Sequence, residues 1–332
     1  MLIESLQNKS LYDHAVDEFQ LLETHISWVL LTGPYAYKLK KPVDLGFVNF
    51  TTLELRKKYC EEEIRLNRRL APDLYLKVIP ITGTEAAPEL DGSGEIIDYA
   101  VQMVQFAQED LLSHAIEQGT LTAAHIDSLA EEVAEFHAKI DVAGADLEFG
   151  MPEKIMAPVE ENFRHLGALF SSDAAVQEMV ALIRAENERW YESHQGLLAQ
   201  RKSQGFIREC HGDMHLGNMI LSDTGVTLFD CLEFNAALRW VDVMSEVAFV
   251  VMDLEDRGHA DFAMRFLNRY LELTGDYAGV PLLRFYLSYR AMVRAKVAAL
   301  RLSQHHFSEA EGAAICEEFW SYLKLAKNYV TP

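Results

Sequence analysis

Two short segments carry the residue types that could bind a metal ion and act on a phosphate group. The loop at residues 211–218 reads HGDMHLGN, and its Asp213 precedes Asn218 by five positions, while a second carboxylate, Asp230, follows the β-type run at 226–229. Carboxylate and amide oxygens are the hard ligands that Mg²⁺ prefers. An Asp five residues before an Asn is typical of the pair that orients an acceptor hydroxyl and binds the metal in phosphoryl transfer.

A predicted β-hairpin would bring two of these side chains together. Two apolar, β-type runs flank a four-residue turn, SDTG, at 222–225. If Leu221 pairs with Val226, Asn218 lies opposite the residue that precedes Asp230. The hairpin alone therefore predicts that an amide and a carboxylate converge just after the loop that carries the other Asp. The alternative interpretation is an acidic turn whose Asp residues only cap backbone groups.

An independent signal lies nearer the N-terminus. Residues 35–38 (YAYK) have the form of a strand that ends in a phosphate-binding lysine, Lys38. In the predicted helix that follows, Glu63 is the one charge on the apolar face. Because a buried carboxylate needs a cation, we expect Lys38 and Glu63 to form an ion pair. Lys40 lies on the same strand face as the alternative lysine, and Glu63 could instead reach water from the edge of the apolar face.

The predicted secondary structure changes from mainly strands to mainly helices near residue 106. Strands are predicted at 26–31, 35–40 and 96–106, and a Thr51-x-x-Glu54 capping box predicts the helix that ends before Pro72. Further helices are predicted at 126–140, 177–200, 241–256, 260–274, 281–302 and 308–328, around a strand-rich island at 205–230. We therefore predict an α+β fold with two lobes, a small strand-rich lobe at 1–105 and a larger, mainly helical lobe at 106–332.

His137 falls on an apolar helix face and is expected to be a hydrogen-bonded core residue.

Composition and charge limit the class of protein. The chain has 332 residues, of which 49% are apolar and 24% charged, which suits a globular protein of about two domains. The 51 acidic and 30 basic residues give a net charge of −21, so nucleic acid and anionic membranes are not expected as partners. Neither a secretory signal nor a membrane-length apolar run is visible, and no disulfide framework is expected from four cysteines. The predicted location is the cytoplasm.

The loop at 211–218 and the segment at Asp230 resemble the aminoglycoside phosphotransferase and choline kinase group, which has a protein-kinase-like fold. More narrowly, the chain resembles the phosphotransferase-like part of bacterial aminoglycoside phosphotransferase family enzymes. The supporting phrases are HISWV at 25–29, YKLKKP at 37–42, NRRLAP at 67–72 and FDCLEFN at 229–235. In many of these relatives a P-loop ATP-binding domain follows. The sequence contains no G-x-x-x-x-G-K-[ST], so the chain is expected to be a stand-alone version or one part of a longer protein, whose P-loop domain would be a functional partner.

This resemblance implies an ATP- and Mg²⁺-dependent transfer of the γ-phosphate to a hydroxyl of a small-molecule acceptor, in the class of aminoglycosides, sugars and amino alcohols. Asp213 would be the catalytic base or would orient the hydroxyl. Asn218 and Asp230 would hold Mg²⁺. Lys38 would bind the nucleotide phosphates, and Glu63 would position it.

The resemblance also assigns less specific roles. The connection between the lobes, with backbone groups facing adenine, would be formed by Met103, Gln105 and Phe106. The nucleotide loop near 23–27 contains no glycine, so its phosphate contacts would come from backbone N–H groups and from the hydroxyls of Thr24 or Ser27. Candidates for the acceptor side are Glu233, Asp242 and Arg257, although Asp242 could equally be a helix cap or a structural partner.

Several alternatives remain open at this point. A catalytically weak pseudokinase or nucleotide-binding regulatory protein is favoured by the glycine-free loop. The H-x-D-x-H pattern at 211–215 would suit a metal-dependent phosphohydrolase. Such an enzyme would also need paired histidines later in the chain. The pair at 305–306 lies in a polar stretch and is expected at the surface, which argues against this alternative. Cys210 and Cys231 flank the hairpin and are expected to be small buried hydrophobic residues, with a redox or catalytic thiol as the alternative.

Overall fold

The computed structural model describes residues 1–46, 48–222, 225–303 and 307–331. These residues form two compact units. Unit 1 comprises Met1–Gln118 and Asn218–Ala236, and unit 2 comprises Gly119–Gly217 and Ala237–Pro332. The predicted boundary at 105 thus falls inside unit 1, which also contains the hairpin of the candidate metal site. An isolated β-bridge between Leu111 and Ile220 joins the hairpin to the rest of that unit.

Most strands belong to one antiparallel sheet in unit 1. The strands are β1 (Gln20–Glu23), β2 (Ser27–Leu31), β3 (Tyr35–Lys40), β4 (Tyr75–Thr84), β5 (Ala87–Leu90), β6 (Ile96–Val104), β7 (Ile207–Glu209), β8 (Met219–Ser222), β9 (Gly225–Leu228) and β10 (Trp240–Asp242). The six-stranded sheet has the order β1-β2-β3-β6-β4-β5. The strands β8 and β9 form the predicted hairpin, and β7 pairs with β10 in unit 2.

Helices make up most of unit 2. The α-helices are α1 (Leu2–Ser5), α2 (Leu53–Asn67), α3 (Leu112–Glu117), α4 (Ala123–Lys139), α5 (Pro152–Leu169), α6 (Ala174–Ser203), α7 (Ala236–Arg239), α8 (Val243–Asp256), α9 (Ala260–Thr274), α10 (Leu283–Leu302) and α11 (Glu309–Val330). In α8 every residue from 243 to 254 is buried, so this helix is the centre of unit 2. Among the described residues, no helix combines the length and the apolar character needed to cross a bilayer.

The alternation of β3 explains how unit 1 positions its charged residues. Tyr37 and Leu39 pack into the apolar cluster on one face of the sheet. Ala36 packs into a second cluster that includes Cys60 of α2. Because side chains alternate along a strand, the lysines at 38 and 40 lie on the same side as Ala36, towards α2. A helix face with one carboxylate is therefore placed over a strand face with two cations.

Several predicted elements need correction. The N-cap of α2 is Thr52, whose Oγ1 accepts the backbone N–H of Leu55 at 3.3 Å, whereas Thr51 donates its hydroxyl to Asn49 Oδ1. The predicted capping residue is therefore wrong by one position. The sequence analysis also missed β1, β4, β5 and α5. Three of these elements contain a proline, which normally argues against them: Pro80 within β4, Pro88 within β5 and Pro158 within α5.

Three predictions concern residues outside those described. The first concerns the predicted turn, of which positions 223 and 224 are not described. The second concerns the surface position of the histidines at 305–306, and the third the end of the helical lobe at residue 332. The predicted core position of His137 is confirmed. Its side chain is 2% exposed and bonds Tyr270 Oη at 2.9 Å through Nδ1.

Candidate active site

A buried cluster of charged side chains occupies the space between β3, α2 and the segment after β9. Lys38 Nζ lies 2.8 Å from Glu63 Oε1 and also contacts Asp230 Oδ1. Lys40 Nζ contacts the other oxygen of Glu63 and a carboxylate oxygen of Glu233. The predicted pair of Lys38 and Glu63 is thus confirmed as a contact. The second lysine is not an alternative to the first, since both share Glu63. We call these five residues the lysine–carboxylate cluster.

Within the cluster, Glu63 and Lys38 keep their charges because each lies beside groups of opposite charge, whereas burial raises the pKa of Glu233. Burial alone would raise the pKa of Glu63, but the ammonium groups of Lys38 and Lys40 outweigh it and lower this pKa to about 2. Burial alone would lower the pKa of Lys38, but Asp230 and Glu63 hold it well above its ordinary value. Two ammonium groups face three carboxylates, so the ionised cluster carries one negative charge in excess.

The two lysines differ in their access to solvent. The Lys38 side chain is 12% exposed, whereas that of Lys40 is fully buried. The Lys40 ammonium contacts two carboxylates and lies 5.3 Å from the centre of the Phe50 ring. Lys38 is therefore the lysine that can meet a ligand from outside the cluster.

The hairpin has the predicted register. Leu221 pairs with Val226, and the backbone N–H of Phe229 donates to the carbonyl of Asn218 at 3.0 Å. Asn218 is 8% exposed. Asp230 follows directly, so the hairpin holds the backbones of the predicted metal ligands close to each other within unit 1.

Asp230 has a backbone conformation that few residues adopt. Its φ is +63°, in the left-handed region, which Asp tolerates better than most side chains. The backbone N–H of Asp230 donates to Tyr75 Oη at 3.1 Å, and that of Cys231 donates to Asn67 Oδ1 at 2.8 Å. The Asp230 side chain is 40% exposed. Strained backbone of this kind concentrates at functional sites, where surrounding contacts fix it.

In unit 2, the loop that carries Asp213 is held by a carboxylate from α8. Glu246 Oε2 accepts the backbone N–H of His211 at 2.9 Å, and Oε1 accepts that of Gly212 at 2.6 Å. His137 Nε2 lies 3.2 Å from the same carboxylate. From α10, Arg290 donates to the carbonyl of Gly212 at 3.1 Å. The backbone immediately before Asp213 is therefore fixed from two helices.

Burial alone would raise the pKa of Glu246, but the hydrogen bond and the charge of His137, together with His211, lower it to about 2. The sequence analysis missed this residue. The sequence could have indicated it, because an acidic residue in a helix segment that is otherwise almost entirely apolar must have buried partners, as Glu63 does.

Asp213 lies among cationic and imidazole groups. His215 Nε2 is 3.5 Å from Asp213 Oδ2, and His215 Nδ1 accepts the backbone N–H of Gly217 at 3.1 Å. Arg294 of α10 lies 3.4 Å from His215 Nε2. Burial opposes ionisation of Asp213, but His215, Arg294 and His211 hold its pKa well below its usual range. The Asp213 side chain is 39% exposed, so an ionised carboxylate is accessible at this position.

The predicted loop and connecting residues have mostly structural partners. Met103 lies within β6 and pairs with strands on both sides. The N–H of Gln105 donates to the carbonyl of Pro34, and its Oε1 accepts two backbone N–H groups of the β2–β3 turn. Phe106 packs edge-on against Phe229 at 5.1 Å. The N–H of Gln105 is therefore already used within unit 1, and the prediction that backbone groups of residues 103–106 face adenine stays a prediction.

The predicted nucleotide loop is the turn between β1 and β2. Thr24 Oγ1 accepts the N–H of Ser27 at 3.0 Å and closes the turn. Ser27 is 1% exposed, and within the described part of the chain its hydroxyl has no hydrogen-bond partner. The structure corrects the prediction that this hydroxyl meets a phosphate, because the side chain is buried.

The candidates for the acceptor side have partners within their own units. Glu233 belongs to the lysine–carboxylate cluster of unit 1, which corrects its placement on the helical side. Asp242 caps α8 by accepting the N–H of Met244 at 2.9 Å, and its carboxylate binds the buried Arg201. This is the structural role foreseen as its alternative. Arg257 lies 3.3 Å from Asp253, one helical turn earlier.

The H-x-D-x-H residues do not form a transition-metal site in the described part of the chain. The one group of three ligand side chains found there is His137, Cys210 and Glu246. Its carboxylate already accepts backbone and imidazole N–H groups, as described above. Cys210 and Cys231 are both buried, as expected.

A family model matches more than half of the chain. The model described as the phosphotransferase enzyme family matches residues 50–283, which include Glu63, Asp213, Asn218 and Asp230. The chain belongs to the phosphotransferase enzyme family. The resemblance to aminoglycoside phosphotransferases and choline kinases stated from the sequence is thereby confirmed.

One curated relative of this phosphotransferase family member is the uncharacterized protein Rv2004c of Mycobacterium tuberculosis. The two are 32% identical over 288 residues, which are 85% of this chain and 55% of the relative. The chain therefore spans about half the length of the curated relatives it matches.

Solved structures of kinases share the fold. The amicoumacin kinase hAmiN, in complex with AMP-PNP, Ca²⁺ and Ami, has a TM-score of 0.56 at 12% identity, with 98% of this chain and 96% of that chain covered. Choline kinase from Cryptosporidium parvum Iowa II has a TM-score of 0.56 at 9% identity, with 99% and 96% covered. At these identities the likeness shows the fold alone, and it confirms the predicted α+β, kinase-like fold.

For this family member, we expect Glu246→Gln to lower the free energy of unfolding at pH 7 by about 3 kcal/mol, because an amide cannot accept all three buried N–H groups. The folded-state pKa of Glu246 is about 2, below the ordinary 4.5. Its ionisation therefore stabilises the fold above pH 4.5, and this contribution is lost as the pH falls towards 2. Denaturant unfolding of both proteins at several pH values should give curves that converge in that window.

The exposed Glu135→Gln on α4 is the matched control and should match the wild type. Equal stability of Glu246→Gln and wild type at pH 7, or parallel pH curves, would contradict the role of Glu246 in holding the loop.

Proposed function

We propose that this chain is an ATP- and Mg²⁺-dependent phosphotransferase that moves the γ-phosphate of ATP to a hydroxyl group of a small molecule. The observation that carries the proposal is that Lys38 contacts both the buried Glu63 and the partly exposed Asp230 in a member of the phosphotransferase enzyme family. A lysine held by a helix carboxylate, next to a carboxylate that can bind a metal, supplies the charges that phosphoryl transfer needs. Because the matched relatives are longer, the activity of any longer protein is part of this proposal.

The residues at the end of the hairpin suit Mg²⁺. Asp230 offers a carboxylate that is 40% exposed, and the side chain of Asn218, whose backbone pairs with the residue before Asp230, offers an amide oxygen. The excess negative charge of the lysine–carboxylate cluster favours a cation. Asn218 and Asp230 would hold Mg²⁺, which, when bound, neutralises charge on the phosphates and on the developing transition state.

Lys38 would bind the nucleotide phosphates. Its raised pKa keeps it cationic at neutral pH, and Glu63 fixes the position of its ammonium group. A cation that is already positioned does not have to be ordered when the nucleotide binds, which favours stabilisation of the transferring phosphate.

Asp213 would orient the acceptor hydroxyl. Its pKa lies well below the usual range, so its carboxylate stays ionised and accepts the hydroxyl hydrogen bond at any physiological pH. Such a weak base contributes by directing the oxygen at the phosphorus, which suits a loose transition state that needs little proton removal in advance. Glu246, His211 and Arg290 would keep this loop in place.

The acceptor is proposed to be a cationic small molecule, in the class of aminoglycosides and amino alcohols. The net charge of −21 favours cations and disfavours anionic acceptors. Two of the proteins of similar fold are named for small-molecule acceptors, an amicoumacin kinase and a choline kinase.

A second candidate is a catalytically weak, nucleotide-binding regulatory protein. The turn between β1 and β2 favours it, because Thr24 Oγ1 is used within the turn and the Ser27 hydroxyl is buried. Fewer phosphate contacts would then be available than in a glycine-rich loop.

The release of ADP distinguishes these candidates. We expect the wild type with Mg·ATP to release ADP and form a phosphomonoester, detected by ³¹P NMR, with an aminoglycoside or amino alcohol and not with an acidic sugar of similar size. Asp213→Ala, whose turnover should fall by about 10²–10⁴-fold, serves as the blank. Tight binding of Mg·ATP with no phosphoester from any hydroxyl acceptor would favour the regulatory protein.

A further inference from the structure

Lys40 and Glu233 form the most deeply buried contact of the lysine–carboxylate cluster. The Lys40 side chain is fully buried and that of Glu233 is 4% exposed. With two carboxylates and an aromatic ring around it, the Lys40 ammonium has no path to a nucleotide. A buried ion pair is weak evidence for stability, since apolar residues of similar volume would often do as well. Its place in the chain indicates another role.

Glu233 lies three residues after Asp230, at the end of a short segment that is fixed at both ends. At the start of this segment, the N–H groups of Asp230 and Cys231 donate to side chains of β4 and α2, Tyr75 and Asn67. At its end, Glu233 contacts Lys40 of β3. Segment 230–233 is therefore held by three separate elements of unit 1.

This attachment bears directly on Asp230. The left-handed backbone of Asp230 persists only where surrounding contacts determine it, and the contact between Lys40 and Glu233 is a charged contact at the far end of the segment. Lys40 also occupies the second oxygen of Glu63, whose first oxygen contacts Lys38. The Lys40 ammonium thus contacts both the carboxylate that positions Lys38 and the carboxylate that ends the segment of Asp230.

We propose that Lys40 and Glu233 are positioning residues that hold Asp230 in the orientation needed to bind the divalent cation. This inference rests on the proposed function. It assigns the two lysines of β3 different tasks: Lys38 would meet the nucleotide, and Lys40 would set the metal affinity through the 230–233 segment. Outer partners of metal ligands commonly change metal affinity by about 10–100-fold when they are altered.

The test is the Mg²⁺ requirement of nucleotide binding, measured by calorimetric titration of ATP at a series of Mg²⁺ concentrations. Glu233→Gln keeps the size of the side chain and one acceptor oxygen towards Lys40. We expect it to raise the Mg²⁺ concentration for half-maximal ATP binding about 10–100-fold. ATP affinity at saturating Mg²⁺ should stay near that of the wild type. The exposed Glu61→Gln on α2 is the control and should change neither quantity.

A double variant separates positioning from simple charge. Glu233→Gln removes the excess negative charge of the cluster, and Lys40→Met combined with Glu233→Gln restores it without restoring the contact. We expect the double variant to keep the raised Mg²⁺ requirement. A return to the wild-type requirement would show that charge balance alone sets the metal affinity, which would overturn the inference.

Two further outcomes would overturn the inference and are distinguishable from each other. If Glu233→Gln lowers the unfolding midpoint but binds Mg·ATP with the wild-type Mg²⁺ requirement, the pair is only structural and the proposed function stands. If the wild type itself binds ATP without any dependence on Mg²⁺, the proposed function falls and the inference falls with it.

Discussion

Replacement of Asp213 by Ala should lower the turnover of the proposed phosphotransferase by about 10²–10⁴-fold, the usual effect of removing a positioned acid–base group. The carboxylate is exposed by 39% and lies beside His215, on a loop whose backbone Glu246 and Arg290 hold in place. Without it, the acceptor hydroxyl loses its hydrogen-bond acceptor while the lysine–carboxylate cluster stays intact. Turnover is measured by ADP release with the accepted substrate, and ATP binding by calorimetry should remain unchanged.

The control for this substitution is Asp261→Ala, an exposed carboxylate in the first turn of α9. It should leave turnover unchanged. Asp213→Asn tests the role further, since an amide can still accept a hydrogen bond from the hydroxyl but carries no charge. Wild-type turnover in Asp213→Ala would remove this residue from the mechanism.

Replacement of Asp230 by Asn should abolish the Mg²⁺-dependent part of ATP binding. Asn is chosen because it tolerates the left-handed backbone at φ +63°, where Ala would add strain unrelated to the metal. The loss of the carboxylate removes the main proposed metal ligand and one partner of Lys38. Calorimetric titration with ATP, with and without Mg²⁺, measures the effect directly.

Asp91 supplies a matched control for this substitution. It is the other described non-glycine residue with positive φ, at +55°, and it lies in the same unit with an exposed contact to Lys77. Asp91→Asn should bind Mg·ATP as the wild type does. If Asp230→Asn also keeps the full Mg²⁺ dependence, the metal assignment is wrong.

The parts of the site that the sequence predicted follow from short-range rules. The hairpin register depends on two alternating runs and a turn, so Asn218 and Asp230 could be brought together without knowledge of the tertiary fold. Glu63 could be paired with a lysine because a charge on an apolar helix face must find a cation. The same rule, applied to the apolar run of α8, would have indicated Glu246.

The rest depended on packing between distant elements. Strand alternation places Lys38 and Lys40 on one face but does not tell which of them reaches solvent; that difference arises from Glu233, 193 positions beyond Lys40. The sequence places Glu233 only three residues after Asp230, and this nearness does not reveal the direction of its side chain. The prediction that it lies on the acceptor side is wrong for this reason. The burial of Ser27 likewise follows from the pairing of β2 with β3.

The errors in the fold have local causes. Thr51 and Thr52 are both good capping residues, and only the backbone shows which hydroxyl accepts the Leu55 N–H. Proline at position 80 of β4 and at position 158 of α5 argued against elements that tertiary packing nevertheless supports. Proline disfavours both a strand and a helix because it lacks a backbone N–H. At these two positions, packing against neighbouring elements outweighs the loss of that one hydrogen bond.

The central claim, a metal-dependent nucleotide site that serves phosphoryl transfer, is tested most directly by thermal unfolding of the wild type with Mg·ATP, with ATP alone and with Mg²⁺ alone. At about 100 times its Kd, a ligand that binds only the folded state stabilises it by about 2.7 kcal/mol, which gives a clear rise of the unfolding midpoint. We expect this rise with Mg·ATP and a much smaller one with either component alone. No rise at millimolar Mg·ATP, or the same rise without Mg²⁺, would contradict it.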